Sequence, residues 1–314
     1  MENTNNTCKI VMYHYVRPVK ESKYPHIKGL ELDGFIRQIR YFKDNFNFIT
    51  AKQLLDSIYD NIPIPKNAIL LTFDDGFKDH YLHVFPMLKK FEIQGLFFPP
   101  AKAIEECQVL DVHKIHFILA SCDNKQKLID KIFHLINIHK DEYDLDAPES
   151  YFAKLAIPNR FDTKEVIFIK RILQRQLPNK LRGEIIYSLF KEFVTSDQKS
   201  FSKELYLSFE EIEQMKQSGM YFGSHGYSHE WLTYLSSNEL KLEIENSLNF
   251  YYKINQEKTD MIMCYPYGDY NNSVIQELKA HGFRAGFTTE IGDANLSISN
   301  AFLLKRYDAN DFMQ

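Results

Sequence analysis

The chain has 314 residues, 44% hydrophobic and 25% charged, the balance of a folded globular protein and not of a disordered one. A formal net charge of −4, with Lys and Arg scattered, leaves no basic footprint for nucleic acid. No run reaches the roughly 18 apolar residues of a spanning helix, and residues 1–7 carry no Lys or Arg, so neither a signal peptide nor a membrane span is expected and the location expected is cytoplasmic.

The first predicted strand is 9–16. Apolar residues at helical spacing (Phe35, Ile36, Ile39, Phe42, Phe46) predict an amphipathic helix over 32–46. A second helix over 50–58 opens on a Thr50 cap. Pro63 and Pro65 then break the chain. The unbroken apolar run 68–73 predicts a strand buried on both faces. A helix over 79–91 and a strand over 95–98 follow, and Pro99-Pro100 closes the strand. This alternation predicts a parallel β/α fold.

Between 105 and 203 the texture changes. Gly183 is the only glycine there, and 112–120, 127–138, 164–175 and 182–194 have helical periodicity. The segment predicts a helical insertion or cap, with 1–104 and 204–314 forming the main domain. The β/α pattern then resumes. A helix over 208–217 has Ser208 as cap and Glu211 in the capping-box position. Strand 220–224, helix 237–252, strand 261–265, helix 273–281, strand 284–288 and a last strand over 303–307 complete the chain. The four cysteines, Cys8, Cys107, Cys122 and Cys264, form no Cys-x-x-Cys pair and predict reduced thiols.

Three segments carry chemistry. Asp74-Asp75-Gly76 follows the buried strand, and strand ends are where such folds gather function. Adjacent carboxylates repel and need a cation or donors to compensate; as a plain turn, Asp and Gly would serve geometry alone. His225 and His229 stand four residues apart among small residues (Gly223, Ser224, Gly226) that let the backbone turn. Alone they also read as ordinary loop histidines. One carboxylate and two imidazoles are enough to hold a zinc-like ion with an open position, which leaves the other carboxylate free as a base. In Cys264-Tyr265-Pro266-Tyr267-Gly268, a loop N–H can face a developing oxyanion; alone it is a strand-ending turn.

Jointly these segments resemble the polysaccharide deacetylase family, the NodB-homology group of carbohydrate esterases (family 4). The resemblance rests on Thr72-Phe73-Asp74-Asp75-Gly76, on Ser224-His225-Gly226-Tyr227-Ser228-His229 with Leu232, and on Tyr265-Pro266-Tyr267-Gly268. Tyr13-His14 and Lys305-Arg306-Tyr307-Asp308 look like its flanking segments. It covers 9–103 and 205–310. It implies a distorted (β/α) barrel of about seven strands, with the insertion outside the match. It also implies release of acetate from an N-acetylated amino sugar, a unit or precursor of a bacterial surface polysaccharide. Asp75, His225 and His229 would then bind a divalent metal, zinc first. Asp74 would be the general base, and the Tyr267 N–H would face the oxyanion.

The chain departs from that pattern in three places. Gly226 stands where the family often has Ser or Thr, which removes a loop hydrogen bond. Cys264 stands where many members have an Arg that tethers the base; Arg306 is the expected substitute. The late Leu-x-His that supplies a general acid is absent, since no histidine follows His281. His113 and His116 in the insertion are candidates, with a plain helix-face reading beside that one. Two other functions stay open: a glycan-binding member without turnover, and an amidohydrolase or deformylase acting on another substrate.

Overall fold

The computed structural model describes residues 6–158, 162–255 and 260–312. Its organising element is the apolar run read above. Strand β2 (Ala68–Asp74) is buried at all seven positions, as a strand covered on both faces must be. It pairs in parallel with β1 (Thr7–Tyr13) on one side, Tyr13 opposite Phe73, and with β3 (Gly95–Phe98) on the other, Asp74 opposite Phe98. From β3 the pairing passes to β4 (Tyr221–Phe222). A single bridge, Ser224 to Met263, leads to β5 (Ile262–Cys264), which pairs with β6 (Ala285–Phe287). A second bridge, Phe287 to Leu304, leads to the segment whose end, β7 (Tyr307–Asp308), pairs with β1. Seven parallel segments thus follow one another in a distorted (β/α) arrangement, with single bridges in place of ladders at two joints.

Local sequence explains most of the helices around them. Leu32–Asn45 buries Phe35, Ile39 and Phe42, a stripe of i, i+4, i+7. Ala51–Tyr59 opens on a capping box between Thr50 and Gln53, and Phe209–Gln217 on one between Ser208 and Glu211. The helix expected over 79–91 differs. It begins with a π turn, His80–Val84, and continues as Phe85–Lys90. Pro86 has no N–H to give, and just before it the Phe85 N–H reaches back five residues to the His80 carbonyl.

Other boundaries also moved. The strand expected over 9–16 ends at Tyr13; Val16–Arg17 then pairs with Leu30–Glu31 in a separate two-stranded sheet. Of 303–307, only the Leu304 bridge and Tyr307 pair with neighbours. The antiparallel strand Ala294–Asn295 beside Thr7–Cys8 was not foreseen, nor were the helices Ala101–Glu105, Pro148–Leu155 and Gln198–Leu205. These are too short to show a periodicity.

The chain divides into two compact units: 1–18, 29–108 and 202–314 in the first, and 19–28 with 109–201 in the second. The first contains the seven segments. The second is helical, including Asp111–Ser121, Lys125–Ile138, Lys164–Arg171 and Asn179–Phe193. Its interior holds Phe117, Phe168 and Phe190, with the Phe201 ring 4.9 Å from Phe117 and 5.4 Å from Phe190. All four cysteines are free thiols. Among the described residues no helix is long and apolar enough to cross a membrane.

Two features of the first unit have measurable consequences. Gly223 passes so close to β3 that a Cβ would stand 2.3 Å from Phe98 Cε1 and 2.8 Å from the Ile262 carbonyl. Gly223→Ala should therefore destabilise the protein by at least about 1–3 kcal/mol, read from urea midpoints. His80 is fully buried against Phe73, Phe77 and Phe97, and its Nε2–H donates to the His14 carbonyl at 2.8 Å. Burial pulls its pKa from 6.5 down to about 4. The unfolded chain therefore binds the proton first as pH falls. Stability should be intact above pH 6.5 and decline toward pH 4, by about 3 kcal/mol at about 1.4 kcal/mol per pH unit. Urea titrations across that range should show this loss in the wild type and a smaller one in His80→Gln.

Candidate active site

Where β2 ends, two consecutive carboxylates separate. Asp74 still pairs in the ladder, whereas Asp75 turns away with φ +73° and anchors its N–H on the Phe98 carbonyl at 3.0 Å. Their side chains meet different partners.

Asp75 Oδ1 lies 3.5 Å from His225 Nε2 and 3.4 Å from His229 Nε2. The three residues are 3%, 2% and 8% exposed. The histidines come from the loop after β4, where His229 adopts φ +60°. His225 Nδ1–H donates to the Cys264 carbonyl at 2.7 Å, which turns Nε2 toward Asp75. Burial pulls the His225 pKa down, but Cys264, Asp75 and Asp74 outweigh it and raise the pKa well above the usual imidazole value. The surroundings favour a positive charge at this point. The donor set also fits a metal cation. Ligand bonds of about 2.0–2.2 Å in a tetrahedron put neighbouring donors about 3.3–3.6 Å apart, and the Asp75–His distances match that spacing.

Asp74 meets a different set of partners. Arg306 Nη1 is 3.0 Å from its Oδ1 and 2.9 Å from its Oδ2, and the Cys264 thiol donates to Oδ2 at 3.3 Å. Arg306 is among the largest fully buried side chains of the described residues. Its Nε–H donates to the Thr288 carbonyl and its Nη1 to Thr72 Oγ1. Burial alone would raise the Asp74 pKa; Arg306, then His225 and His14, outweigh it and hold the carboxyl below its ordinary range. Asp74 is therefore an anion at neutral pH.

Tyr267 occupies the turn Pro266–Gly268 with φ +58° and ψ 6°. A non-glycine residue there carries strain of about 1–3 kcal/mol. Its ring stacks on Trp231, centroids 4.3 Å apart and planes at 6°, and meets the edge of His229 at 4.6 Å. The stack ties the turn to a candidate ligand.

The structure thus brings together Asp74, Asp75, His225, His229 and Arg306, with Tyr267 against His229. A further neighbour lies in the flanking Tyr13-His14 segment. His14, directly after β1, has its Nε2 3.9 Å from Asp74 Oδ2, with a side chain 40% exposed against 2% for Asp74. The usable signal was register: with Tyr13 opposite Phe73, the next residue falls beside Asp74. His113 and His116, by contrast, stand in the helical unit on Asp111–Ser121; His113 is fully buried, with the two rings 5.9 Å apart. Tyr307 engages Asp293, and Asp308 accepts from Asn310.

The profile of the family described as polysaccharide deacetylase matches residues 61–133 and 192–286, more than half of the chain. The poly-β-1,6-N-acetyl-D-glucosamine N-deacetylase of Escherichia coli K12 is 30% identical over 63 residues, 20% of this chain and 9% of that protein. The chain thus spans only a small part of that curated relative. The deacetylase PplD of Streptococcus pyogenes superposes with a TM-score of 0.59 at 18% identity, covering 97% of this chain and 93% of that one. IcaB from Ammonifex degensii gives 0.54 at 19% identity, covering 91% and 84%. At such identities the structural likeness speaks for the fold, while the profile match speaks for descent. This chain belongs to the polysaccharide deacetylase family.

Proposed function

We propose that the protein is a metal-dependent N-deacetylase that removes acetyl groups from an amino-sugar glycan of a bacterial surface polysaccharide or its precursor. The observation that carries this reading is the division of labour between adjacent carboxylates: Asp75 faces two imidazole nitrogens, and Asp74 is held ionised beside them. The name of the E. coli relative supports N-acetylglucosamine as the sugar class.

Asp75, His225 and His229 would hold the divalent ion, with zinc the best match to a carboxylate and two imidazoles. Bound there, the ion would polarise the acetamide carbonyl and make water more acidic. Asp74 would accept the proton of the attacking water, kept in place by Arg306. The Tyr267 N–H would donate to the carbonyl oxygen as charge develops on it. His14, partly exposed and close to Asp74, would donate a proton to the departing amine nitrogen. It would thereby fill the place of the missing late histidine.

Acetate release from N-acetylglucosamine oligomers, measured with added Zn²⁺, tests the reading. Chelation should abolish release, and Asp75→Ala should abolish metal binding. Asp74→Asn should lower kcat by about 10²–10⁴-fold. His14→Ala should cost a similar factor of about 10²–10⁴ on the amide, but far less on an aryl acetate, whose leaving group needs no proton. Metal and glycan binding without acetate would instead favour a binding protein, and formate release a deformylase. Arg306→Ala, which strands a buried carboxylate, should cost about 3–5 kcal/mol of stability. It should also raise the Asp74 pKa, so the acid limb of the pH–rate profile moves to higher pH. An unmoved limb would remove Arg306 from the mechanism.

A further inference from the structure

The loop between the two histidines lacks the hydroxyl that the family often places directly after the first of them, yet its Gly226, Tyr227 and Ser228 N–H groups and two of its carbonyls have partners. The Gly226 N–H donates to Ser224 Oγ at 3.2 Å. The Gly226 and Tyr227 carbonyls accept from the N–H groups of Ala101 and Lys102 at 3.2 and 2.9 Å. The Tyr227 and Ser228 N–H groups and the Ser228 hydroxyl converge on one carboxylate. Glu243 Oε1 accepts the N–H groups of Tyr227 and Ser228 at 2.8 and 2.7 Å, and Oε2 accepts the Ser228 hydroxyl at 2.6 Å.

Glu243 is 6% exposed and lies on the helix Ser237–Asn255, in the same buried stripe as Leu240, Ile244 and Ser247. A carboxylate in an apolar stripe is costly unless its oxygens are occupied, and here both of them are. Charge-assisted bonds of this kind are roughly twice as strong as neutral ones. Gly226 makes the approach feasible. Its φ is +74°, and a Cβ would stand 3.0 Å from Glu243 Oε1, so glycine and carboxylate form a matched pair.

The geometry points to Glu243 as a positioning residue for the metal centre: its carboxylate fastens residues 227–228 and so sets the separation and aim of His225 and His229. This rests on the metal-site reading above. Glu243 touches neither imidazole in this role; it acts on the loop that carries them. Such supporting bonds govern how well a site is preformed for its ion.

The test is metal affinity. The chelator-stripped protein is titrated with Co²⁺ alone, followed by its visible absorption and by the fluorescence of Trp231, the single tryptophan. Glu243→Ala should weaken Co²⁺ binding by about 10- to 100-fold. Glu243→Gln, which keeps an oxygen for the two N–H groups, should recover most of that loss. If Glu243→Ala does not fold, Glu243→Asp takes its place; it keeps the charge but is one methylene short of spanning the loop, and should also weaken binding. A folded Glu243→Ala or Glu243→Asp that binds Co²⁺ as tightly as the wild type, even with a lowered melting temperature, would overturn the proposal. Absence of Co²⁺ binding by the wild type would overturn the metal-site reading and this proposal together.

Discussion

Two carboxylates adjacent in the chain and both buried cannot share one environment, and this constraint shapes everything around β2. Repulsion between them in a poorly solvated interior is relieved only if each meets its own positive or donating partner. The backbone separates them first, by leaving the ladder after Asp74 and putting Asp75 in a left-handed conformation. Arg306 then compensates one carboxylate, and the two imidazoles face the other. A single environment would have left one carboxyl protonated. Two environments leave an anion beside a cation-favouring cluster.

Maintaining that division draws on strained backbone. Asp75, His229 and Tyr267 are non-glycine residues with positive φ, and all three sit in loops at the C-terminal ends of parallel strands. Such conformations persist only where their surroundings over-determine them. The surroundings here are specific: the Phe98 carbonyl for the Asp75 N–H, and the Trp231–Tyr267–His229 ring contacts for the other two. The Tyr267 turn and the His229 ring therefore support each other. A change at Trp231 would be felt at both.

Two departures from the family pattern are each compensated within this arrangement. Cys264 occupies a position where many relatives carry arginine. Its small side chain donates to Asp74 and leaves room for a guanidinium arriving from a different part of the chain. Gly226 gives up a hydroxyl and admits a carboxylate from the helix behind it. In both places a local substitution is balanced by a group distant in sequence.

Much of the architecture was legible in the chain, because burial and capping are local properties. The run 68–73 carries its double-faced burial in its composition. Thr50 and Ser208 announce their helices through the residues three positions on. The strand-end position of Asp74-Asp75 and the spacing of His225 and His229 follow from the same reading. Short elements escaped it, having too few turns to show a period, and so did the membership of 19–28 in the helical unit. The resemblance suggested Asp75 with the two histidines and Arg306 with Asp74, but only the tertiary structure decided that His14 stands beside Asp74 and how Arg306, 232 positions away from Asp74, closes on it. Pairing between distant residues depends on strand register and on how closely backbones can approach. Both are set by the packed molecule as a whole and leave no periodic trace in any one segment.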